Sequence, residues 1–299
     1  GGNGFLGSRL IEMLKSYNPK SIFSPSSNEF DLRSQENCKH VTKNIDIVFH
    51  LAAHVGGIGL NKEKPGELFY DNILMGTYLL DEARKNNVEK FVTLGTMCSY
   101  PRDTSQPIKE EYLLTSELEY TNEPYAIAKI AGLKMCESYF KQYGRNFYSV
   151  MPCNLYGIND NFDLKSSHVL PALIRKFHEA KDNNDGEVIM WGTGKPRREF
   201  MYVDDLANAI EHCIQIINAD DVYTNNKSCM NFGSGEDIEI KQLAELIAEV
   251  VEYKGKIIHD TSKPDGTMKK LMDVSFAKSI GLVAKTSLRE GLKNTYKWF

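Results

Sequence analysis

What the sequence lacks narrows the class of protein. No stretch of the 299-residue chain approaches the roughly 20 consecutive apolar residues that a membrane-spanning helix requires, and no basic segment followed by an apolar one opens it. Lys plus Arg number 36 against 40 Asp plus Glu, and the resulting net charge of -4 gives no reason to expect nucleic acid or an anionic membrane as the partner. These absences predict a cytoplasmic protein in which any phosphate binding is local.

Cysteine is also sparse, and it follows no ligand spacing. The six cysteines are scattered, without a CxxC or a Cys/His ligand pattern. Such scatter is typical of reduced thiols in a cytosolic protein rather than of a disulfide framework or a zinc site, so we predict no metal. With 41% hydrophobic and 25% charged residues, the chain is globular and can bury one large core or two modest ones.

A glycine-rich turn is present at the start and leads directly into an amphipathic helix. Residues 1–7 read GGNGFLG, and Leu10, Ile11 and Leu14 follow at helical spacing. Further along, apolar runs at 45–52, 91–94, 148–151, 188–191 and 230–232 alternate with helical stretches. This alternation predicts an α/β fold with a doubly wound parallel sheet of the Rossmann type. Because a strand normally precedes such a turn, we expect the natural chain to begin several residues earlier.

The chain has no internal repeat or linker, so a second domain has to be interleaved with the first. We expect residues 1–155 and 199–235 to form a Rossmann domain, and residues 156–198 and 236–299 a smaller α/β substrate domain. Helical periodicity is clearest over 206–217 and 240–251. The polar segment 159–167 lies where a substrate-binding loop would be useful.

The glycine spacing predicts a dinucleotide site. Glycines at 1, 4 and 7 satisfy GxxGxxG, and those at 2, 4 and 7 satisfy GxGxxG, which lets backbone N–H groups approach a pyrophosphate. NAD-selective folds place an acidic residue roughly 20 residues further on, where it binds the ribose 2'-hydroxyl. Here residues 24–28 read SPSSN, with no acid at the head of the segment. Serine hydroxyls can donate to a 2'-phosphate, so NADP is favoured over NAD.

A tyrosine and a lysine four residues apart form the second motif. Tyr125 and Lys129 lie on one face of a predicted helix. An ammonium near a phenol favours the phenolate, which should lower the pKa of Tyr125 towards the range of a general acid or base. Thr96 follows the strand 91–94. There its hydroxyl could hydrogen-bond the carbonyl oxygen of the substrate on which Tyr125 acts. After a glycine fingerprint, this arrangement predicts redox chemistry with a nicotinamide cofactor.

Taken together, these motifs resemble the extended short-chain dehydrogenase/reductases. The resemblance rests on the glycines, the strand-end segment LAA at 51–53, Asn72, Thr96 and the Tyr125–Lys129 pair. Within that group the chain is similar to the GDP-L-fucose synthases, or GDP-4-keto-6-deoxy-D-mannose 3,5-epimerase-4-reductases. The segments that carry this similarity are HVGGI at 54–58, NEPYAIAK at 122–129, PCNLYG at 152–157, DNF at 160–162, SHVLPAL at 167–173, WGTG at 191–194, REF at 198–200, KPDGT at 263–267 and WF at 298–299.

The resemblance implies two successive reactions at one site. The keto group at C4 of GDP-4-keto-6-deoxy-D-mannose acidifies the hydrogens at C3 and C5, so a base and an acid can invert both carbons through an enediolate. In the family a cysteine and a histidine do this, and the matching residues are Cys98 and His168. NADPH then reduces C4 while Tyr125 protonates the alkoxide, Lys129 holds the nicotinamide ribose and Thr96 orients the carbonyl. The product would be GDP-L-fucose.

Binding residues and a homodimer joined through a helix pair are also implied by the resemblance. Lys176 and Arg198 would hold the diphosphate of the nucleotide-sugar, where cations offset two negative charges, and Trp191 and Asp265 would contact the nucleotide. The residues implied in binding NADP are Gly1, Asn3, Gly4, Phe5, Leu6, Gly7, Leu51, Ala52, Leu94, Gly95, Tyr125, Lys129, Pro152, Cys153, Asn154, Leu155 and His168.

The chain departs from the family pattern in three places. The strand-end hydroxyl is usually serine and is Thr96 here, which keeps the donor but adds a methyl group and a stiffer side chain. Met97 replaces a small polar residue. The region around Asn3 and Ser27 lacks the arginines that some members direct at the 2'-phosphate.

Two other kinds of function stay open at this point. A nucleotide-sugar 4-epimerase of the same fold would need neither Cys98 nor His168, and a 4,6-dehydratase would need an Asp-Glu pair where Met97 and Cys98 follow Thr96. A catalytically silent nucleotide-binding scaffold would have no chemical use for the cysteine, histidine, tyrosine and lysine together.

Overall fold

The computed structural model describes residues 1–164, 166–225, 227–263 and 265–299. Pro264 of the 263–267 motif and Lys165 of the 159–167 segment lie outside the described residues. The strands are β1 Ile47–His50, β2 Lys90–Leu94, β3 Asn146–Pro152, β4 Asn154–Tyr156, β5 Glu187–Trp191, β6 Arg197–Tyr202, β7 Met230–Phe232, β8 Asp237–Glu239, β9 Lys256–Asp260 and β10 Lys269–Lys270. The helices are α1 Phe5–Lys15, α2 Gln35–Val41, α3 Ile58–Glu63, α4 Pro65–Lys85, α5 Glu123–Tyr143, α6 Val169–Asp182, α7 Val203–Gln215, α8 Ala219–Tyr223, α9 Ile240–Val251, α10 Ser275–Ser279 and α11 Leu288–Trp298.

A parallel sheet with the order β1-β2-β3-β7 lies between two layers of helices. Side chains alternate across its central strands. On one face, Phe91 and Phe147 lie with their ring centroids 5.3 Å apart and pack with buried residues of α2 and α4. On the other face, Val92 and Tyr148 pack with α1 and α7, and the Tyr148 hydroxyl donates to the carbonyl of Cys213 on α7 at 3.1 Å. The doubly wound fold is confirmed.

Two smaller sheets lie outside this central one. Strand β6 pairs in parallel with β4 and β10 and antiparallel with β8, while β5 and β9 form a two-stranded parallel sheet. The strand predicted at 188–191 is therefore confirmed, but it belongs to a two-stranded sheet and not to the central one. Helices α6, α9 and α11 cover a separate core that includes Phe177, Leu243 and Leu292. The proposed domain boundaries stay a prediction.

The described residues contain neither a membrane-spanning helix nor a cluster of metal-binding side chains. None of their helices combines the length and the apolar character needed to cross a bilayer. Within the same ranges, no group of three or more His, Cys, Asp or Glu side chains is arranged to hold a metal ion.

Candidate active site

The glycine turn lies against the carboxyl end of β1. Helix α1 begins at Phe5, and the N–H of Gly4 donates to the carbonyl of Gly1 at 3.1 Å, which closes the turn. A Cβ atom on Gly1 would stand 2.4 Å from the backbone nitrogen of Ala52, and one on Gly7 would stand 2.2 Å from the Gly1 oxygen. Only glycine fits at either position. The backbone at the helix N-terminus is therefore open to a pyrophosphate.

The structure brings the other predicted cofactor residues to the same edge of the sheet. Leu51 and Ala52 follow β1, Leu94 and Gly95 lie at the end of β2, and Pro152 to Leu155 span the end of β3 and the start of β4. These strands are parallel neighbours, so their carboxyl ends converge where open α/β sheets bind ligands. Asn72 fixes the loop after β1, since its amide donates to the His54 carbonyl at 2.8 Å and accepts from the His54 N–H at 3.1 Å.

The serine segment differs from the expectation in one respect. The Ser26 hydroxyl and the Ser26 N–H both donate to Glu29, each at 2.8 Å, and these bonds lower the pKa of that carboxyl. Glu29 was not expected near these serines, because it lies five residues after Ser24 rather than at the head of the segment. The Ser26 hydroxyl is therefore already engaged, and a negative charge lies beside the serines expected to meet a 2'-phosphate.

Tyr125 and Lys129 lie one turn apart on α5, as their spacing predicts. The pKa of Tyr125 is raised, first because the phenol is buried and second because of the neighbouring charge of Cys98. The expected lowering is therefore wrong for this structure, because the desolvation of a buried phenol outweighs any help from the lysine. Tyr125 keeps its proton at neutral pH and is in the form that donates it.

Burial acts on Lys129 in the opposite sense. Desolvation of its ammonium lowers the pKa to about 8, and no hydrogen bond joins it to any residue that the structure describes. Lys129 lines a cavity of about 10 Å³ with His50, Asn72 and Thr93, roughly the space of one water molecule. Burial and the nearby Lys129 lower the pKa of His50 to about 3, so this imidazole is neutral.

Cys98 and Thr96 share a short turn after β2. Residues 97–99 form a 3₁₀ turn, and the N–H of Cys98 donates to the Thr96 hydroxyl oxygen at 3.3 Å. That bond uses the oxygen of Thr96 as an acceptor and leaves its O–H free to donate. The Cys98 sulfur accepts a hydrogen bond from the Asn122 amide at 3.2 Å. Asn122 is the first residue of the NEPYAIAK segment, but no role had been predicted for it.

His168 stands at the N-cap of α6, next to the loop that packs on Gly57. The Gly57 N–H donates to the Ser166 carbonyl at 3.1 Å, which fixes this loop near the residues that follow β1. Desolvation lowers the pKa of His168, although the residue as a whole is exposed. In the described part of the chain, no hydrogen bond joins His168 to Cys98 or Tyr125.

Three of the four predicted substrate residues lie close to one another. Asp265 accepts from the Thr193 N–H at 2.9 Å and from its hydroxyl at 2.6 Å, which ties residue 265 to the loop after Trp191. Trp191 is 71% exposed. A Cβ atom on Gly266 would stand 3.3 Å from the Arg198 guanidinium, whose pKa is lowered by burial despite the charge of Cys98 nearby.

Lys176, the fourth, lies on another element, helix α6. It is half-buried on α6, and no hydrogen bond or ion pair holds its ammonium among the residues described.

The comparison with known proteins decides the family. Residues 1–225 match the NAD dependent epimerase/dehydratase family, which is three quarters of the chain. The chain belongs to this family.

Individual members of the family resemble the chain over its whole length. It is 43% identical over 305 aligned positions to the GDP-L-fucose synthase of Escherichia coli K12, covering 100% of this chain and 94% of that protein. It is 46% identical to the putative GDP-L-fucose synthase 2 of Arabidopsis thaliana, covering 100% and 90%. The crystal structure of a Naegleria fowleri GDP-L-fucose synthetase bound to NADP superposes with a TM-score of 0.88 at 27% identity, covering 100% and 92%.

Proposed function

We propose that this chain epimerises GDP-4-keto-6-deoxy-D-mannose at C3 and C5 and reduces C4 with NADPH, which gives GDP-L-fucose. The observation that carries the proposal is the Cys98 thiol beside Thr96 and the buried Tyr125, in a chain 43–46% identical over its full length to GDP-L-fucose synthases. In a 4-epimerase, Cys98 would have no catalytic role. In a catalytically silent scaffold, the cysteine, histidine, tyrosine and lysine would all have none. Neither alternative is favoured.

The residues present fit NADP as the cofactor. The glycine turn has no room for a Cβ at positions 1 and 7, and the carboxyl ends of three parallel strands converge beside it. When bound there, NADPH supplies the hydride that C4 receives. Gly4 and the start of α1 would face the pyrophosphate, and Lys129 would hold the nicotinamide ribose. The Naegleria relative binds NADP with the same fold.

Epimerisation requires a base and an acid. The Cys98 thiolate removes the proton from C3 or C5, and the electron pair of the broken C–H bond moves into the C4 carbonyl to give an enolate. His168 returns a proton to the opposite face of that carbon, which inverts it. The lowered pKa of His168 makes its protonated form a stronger acid but reduces the protonated fraction at neutral pH.

Reduction requires a proton for the C4 oxygen as the hydride arrives. The raised pKa of Tyr125 keeps the phenol protonated until an alkoxide, which is a stronger base than phenolate, forms beside it. Thr96 donates its O–H to the same oxygen and orients the carbonyl. The Lys129 ammonium stabilises the phenolate that remains on Tyr125.

The nucleotide end of the substrate would lie near the separate core that helices α6, α9 and α11 cover. Arg198, with its guanidinium desolvated and close to residue 266, would bind the diphosphate together with Lys176. Trp191 would contact the nucleotide through its exposed ring, and Asp265 through a hydrogen bond.

We also propose that the enzyme is a homodimer in the cytoplasm. Helices α4 and α5 pack side by side and leave apolar side chains in solvent, with Tyr70 59% and Ile127 41% exposed. Such a helix pair can join two copies, and sedimentation of wild type against Tyr70→Glu would test it. All six cysteines are free, as a reducing compartment would keep them.

The experiment that tests the function combines cofactor oxidation with product analysis. The protein is incubated with GDP-4-keto-6-deoxy-D-mannose and NADPH while absorbance at 340 nm is followed and the sugar product is identified. We expect NADPH loss and GDP-L-fucose, with Tyr125→Phe losing reduction and Cys98→Ser losing the epimerised product. An unchanged sugar and unchanged NADPH would overturn the proposal.

A further inference from the structure

The side chain of Asn122 bonds to the Cys98 sulfur and not to the backbone of its own helix. It is the N-cap residue of the 21-residue helix α5, a position where the side-chain oxygen of asparagine normally accepts from the backbone of the first turn. Here the side chain makes no such bond, and its Oδ1 is buried without a hydrogen-bond partner among the described residues. The amide instead donates to the Cys98 sulfur at 3.2 Å. A lost cap and an unpartnered oxygen are both unfavourable, so the orientation towards sulfur needs another explanation.

The chemistry of the sulfur supplies that explanation. An N–H donor stabilises a thiolate more than a thiol, because a hydrogen bond to an ionised acceptor is about twice as strong as one to a neutral acceptor. Two ionisable groups face Cys98 in the structure, namely Arg198 from β6 and Tyr125 from α5. Arg198 also matches a diphosphate-binding position, so the negative charge of bound substrate would offset its positive charge and weaken its effect on Cys98. The neutral Asn122 amide is not subject to that competition.

We propose that Asn122 is a positioning residue for epimerisation, which holds the Cys98 side chain in place and favours its thiolate through the Nδ2–sulfur hydrogen bond. The proposal rests on the proposed function, in which Cys98 is the base.

Thiol alkylation tests the contact without requiring catalysis. Of the six cysteines, all within the described residues, five are buried and Cys98 is half-exposed, so a fast phase of iodoacetamide labelling should belong to Cys98. Cys98→Ser serves as the control that assigns this phase. Labelling rates are measured from pH 6 to 10 for wild type, Asn122→Asp and Asn122→Ala.

The choice of variants separates thiolate stabilisation from helix capping. Neither variant removes a capping bond, because the Asn122 side chain makes none, and Asn122→Asp also replaces the N–H donor by a negative charge beside the sulfur. We expect labelling at pH 7 to fall about tenfold in Asn122→Ala, with the midpoint of the rate profile about one pH unit higher, as the loss of one charge-assisted hydrogen bond predicts. Labelling should fall further in Asn122→Asp, because a carboxylate beside the sulfur also repels the thiolate.

Exchange of solvent deuterium into GDP-4-keto-6-deoxy-D-mannose is the second readout, and it should fall in parallel with labelling. Unchanged labelling profiles in both variants would overturn the inference, whatever happens to exchange. If wild type exchanges no deuterium, the proposed function fails, but the labelling profiles still decide whether Asn122 acts on Cys98.

Discussion

Replacing Lys129 by methionine should stabilise the protein while it removes activity. The ammonium of Lys129 is desolvated and has no hydrogen bond to a described residue, and its pKa falls from the ordinary 10.5 to about 8. These values differ by about 2.5, and each pKa unit corresponds to about 1.4 kcal/mol, so the charge costs about 3.5 kcal/mol of folding free energy at neutral pH. Methionine has a similar length and no charge to bury.

The pH dependence of this effect follows from the sign of the shift. Below pH 8 both folded and unfolded chains carry the Lys129 proton, and the whole destabilisation is present. Between pH 8 and 10.5 only the unfolded chain keeps that proton, so the stability of wild type rises with pH relative to the variant. At pH 9.5 the advantage of Lys129→Met should shrink to about half.

Thermal unfolding followed by circular dichroism measures both effects. For a chain of this size we expect the melting temperature of Lys129→Met to exceed that of wild type by about 7 °C at pH 7, at about 2 °C per kcal/mol. Lys141→Met on the same helix is the matched control, because Lys141 is exposed and its ion pair with Glu137 contributes little. A methionine variant that melts below wild type at pH 7, or a difference in melting temperature that does not change with pH, would show that the Lys129 charge does not destabilise the fold.

Three further outcomes follow from the site. Thr96→Ser should keep kcat within about threefold of wild type, whereas Thr96→Val should lose about a hundredfold in an NADPH oxidation assay, since only serine retains the donor. Glu29→Gln should lower the Kd of NADPH by up to about fivefold in a fluorescence titration, because it removes a charge and loosens the hold on Ser26. The Kd of NADPH should rise above pH 8 as Lys129 loses its proton, and it should stay flat over that range in Lys129→Met. Equal kcat for the two Thr96 variants, weaker NADPH binding by Glu29→Gln or a pH-independent Kd in wild type would contradict these expectations in turn.

The central sheet could be predicted because strands β2, β3 and β7 are almost wholly buried on both faces. These strands and β1 therefore contain short, mostly apolar runs, and the stripes of α7 and α9 follow the helical period. Strands β8 and β10 have the sequences DIE and KK, too short and polar for any pattern to show. Strand β5 was predicted as a strand, but nothing in its residues indicates that it pairs with β9 outside the central sheet.

The site was predictable in position and less so in its electrostatics. Spacing along one helix places Tyr125 and Lys129 together, and a strand end places Thr96 near them. Burial, which spacing does not reveal, reverses the expected shift of the Tyr125 pKa. The contact between Asn122 and Cys98 joins residues 24 positions apart, and only the packing of α5 against the turn after β2 creates it.

We propose that one site carries out epimerisation and reduction with different residues. Solvent exchange distinguishes the two reactions most directly. The protein is incubated with GDP-4-keto-6-deoxy-D-mannose in D₂O without NADPH, and deuterium at C3 and C5 is measured by NMR. We expect exchange at both carbons in wild type and in Tyr125→Phe, and loss of exchange in Cys98→Ser. Exchange that survives in Cys98→Ser, or that is absent from wild type, would contradict this proposal.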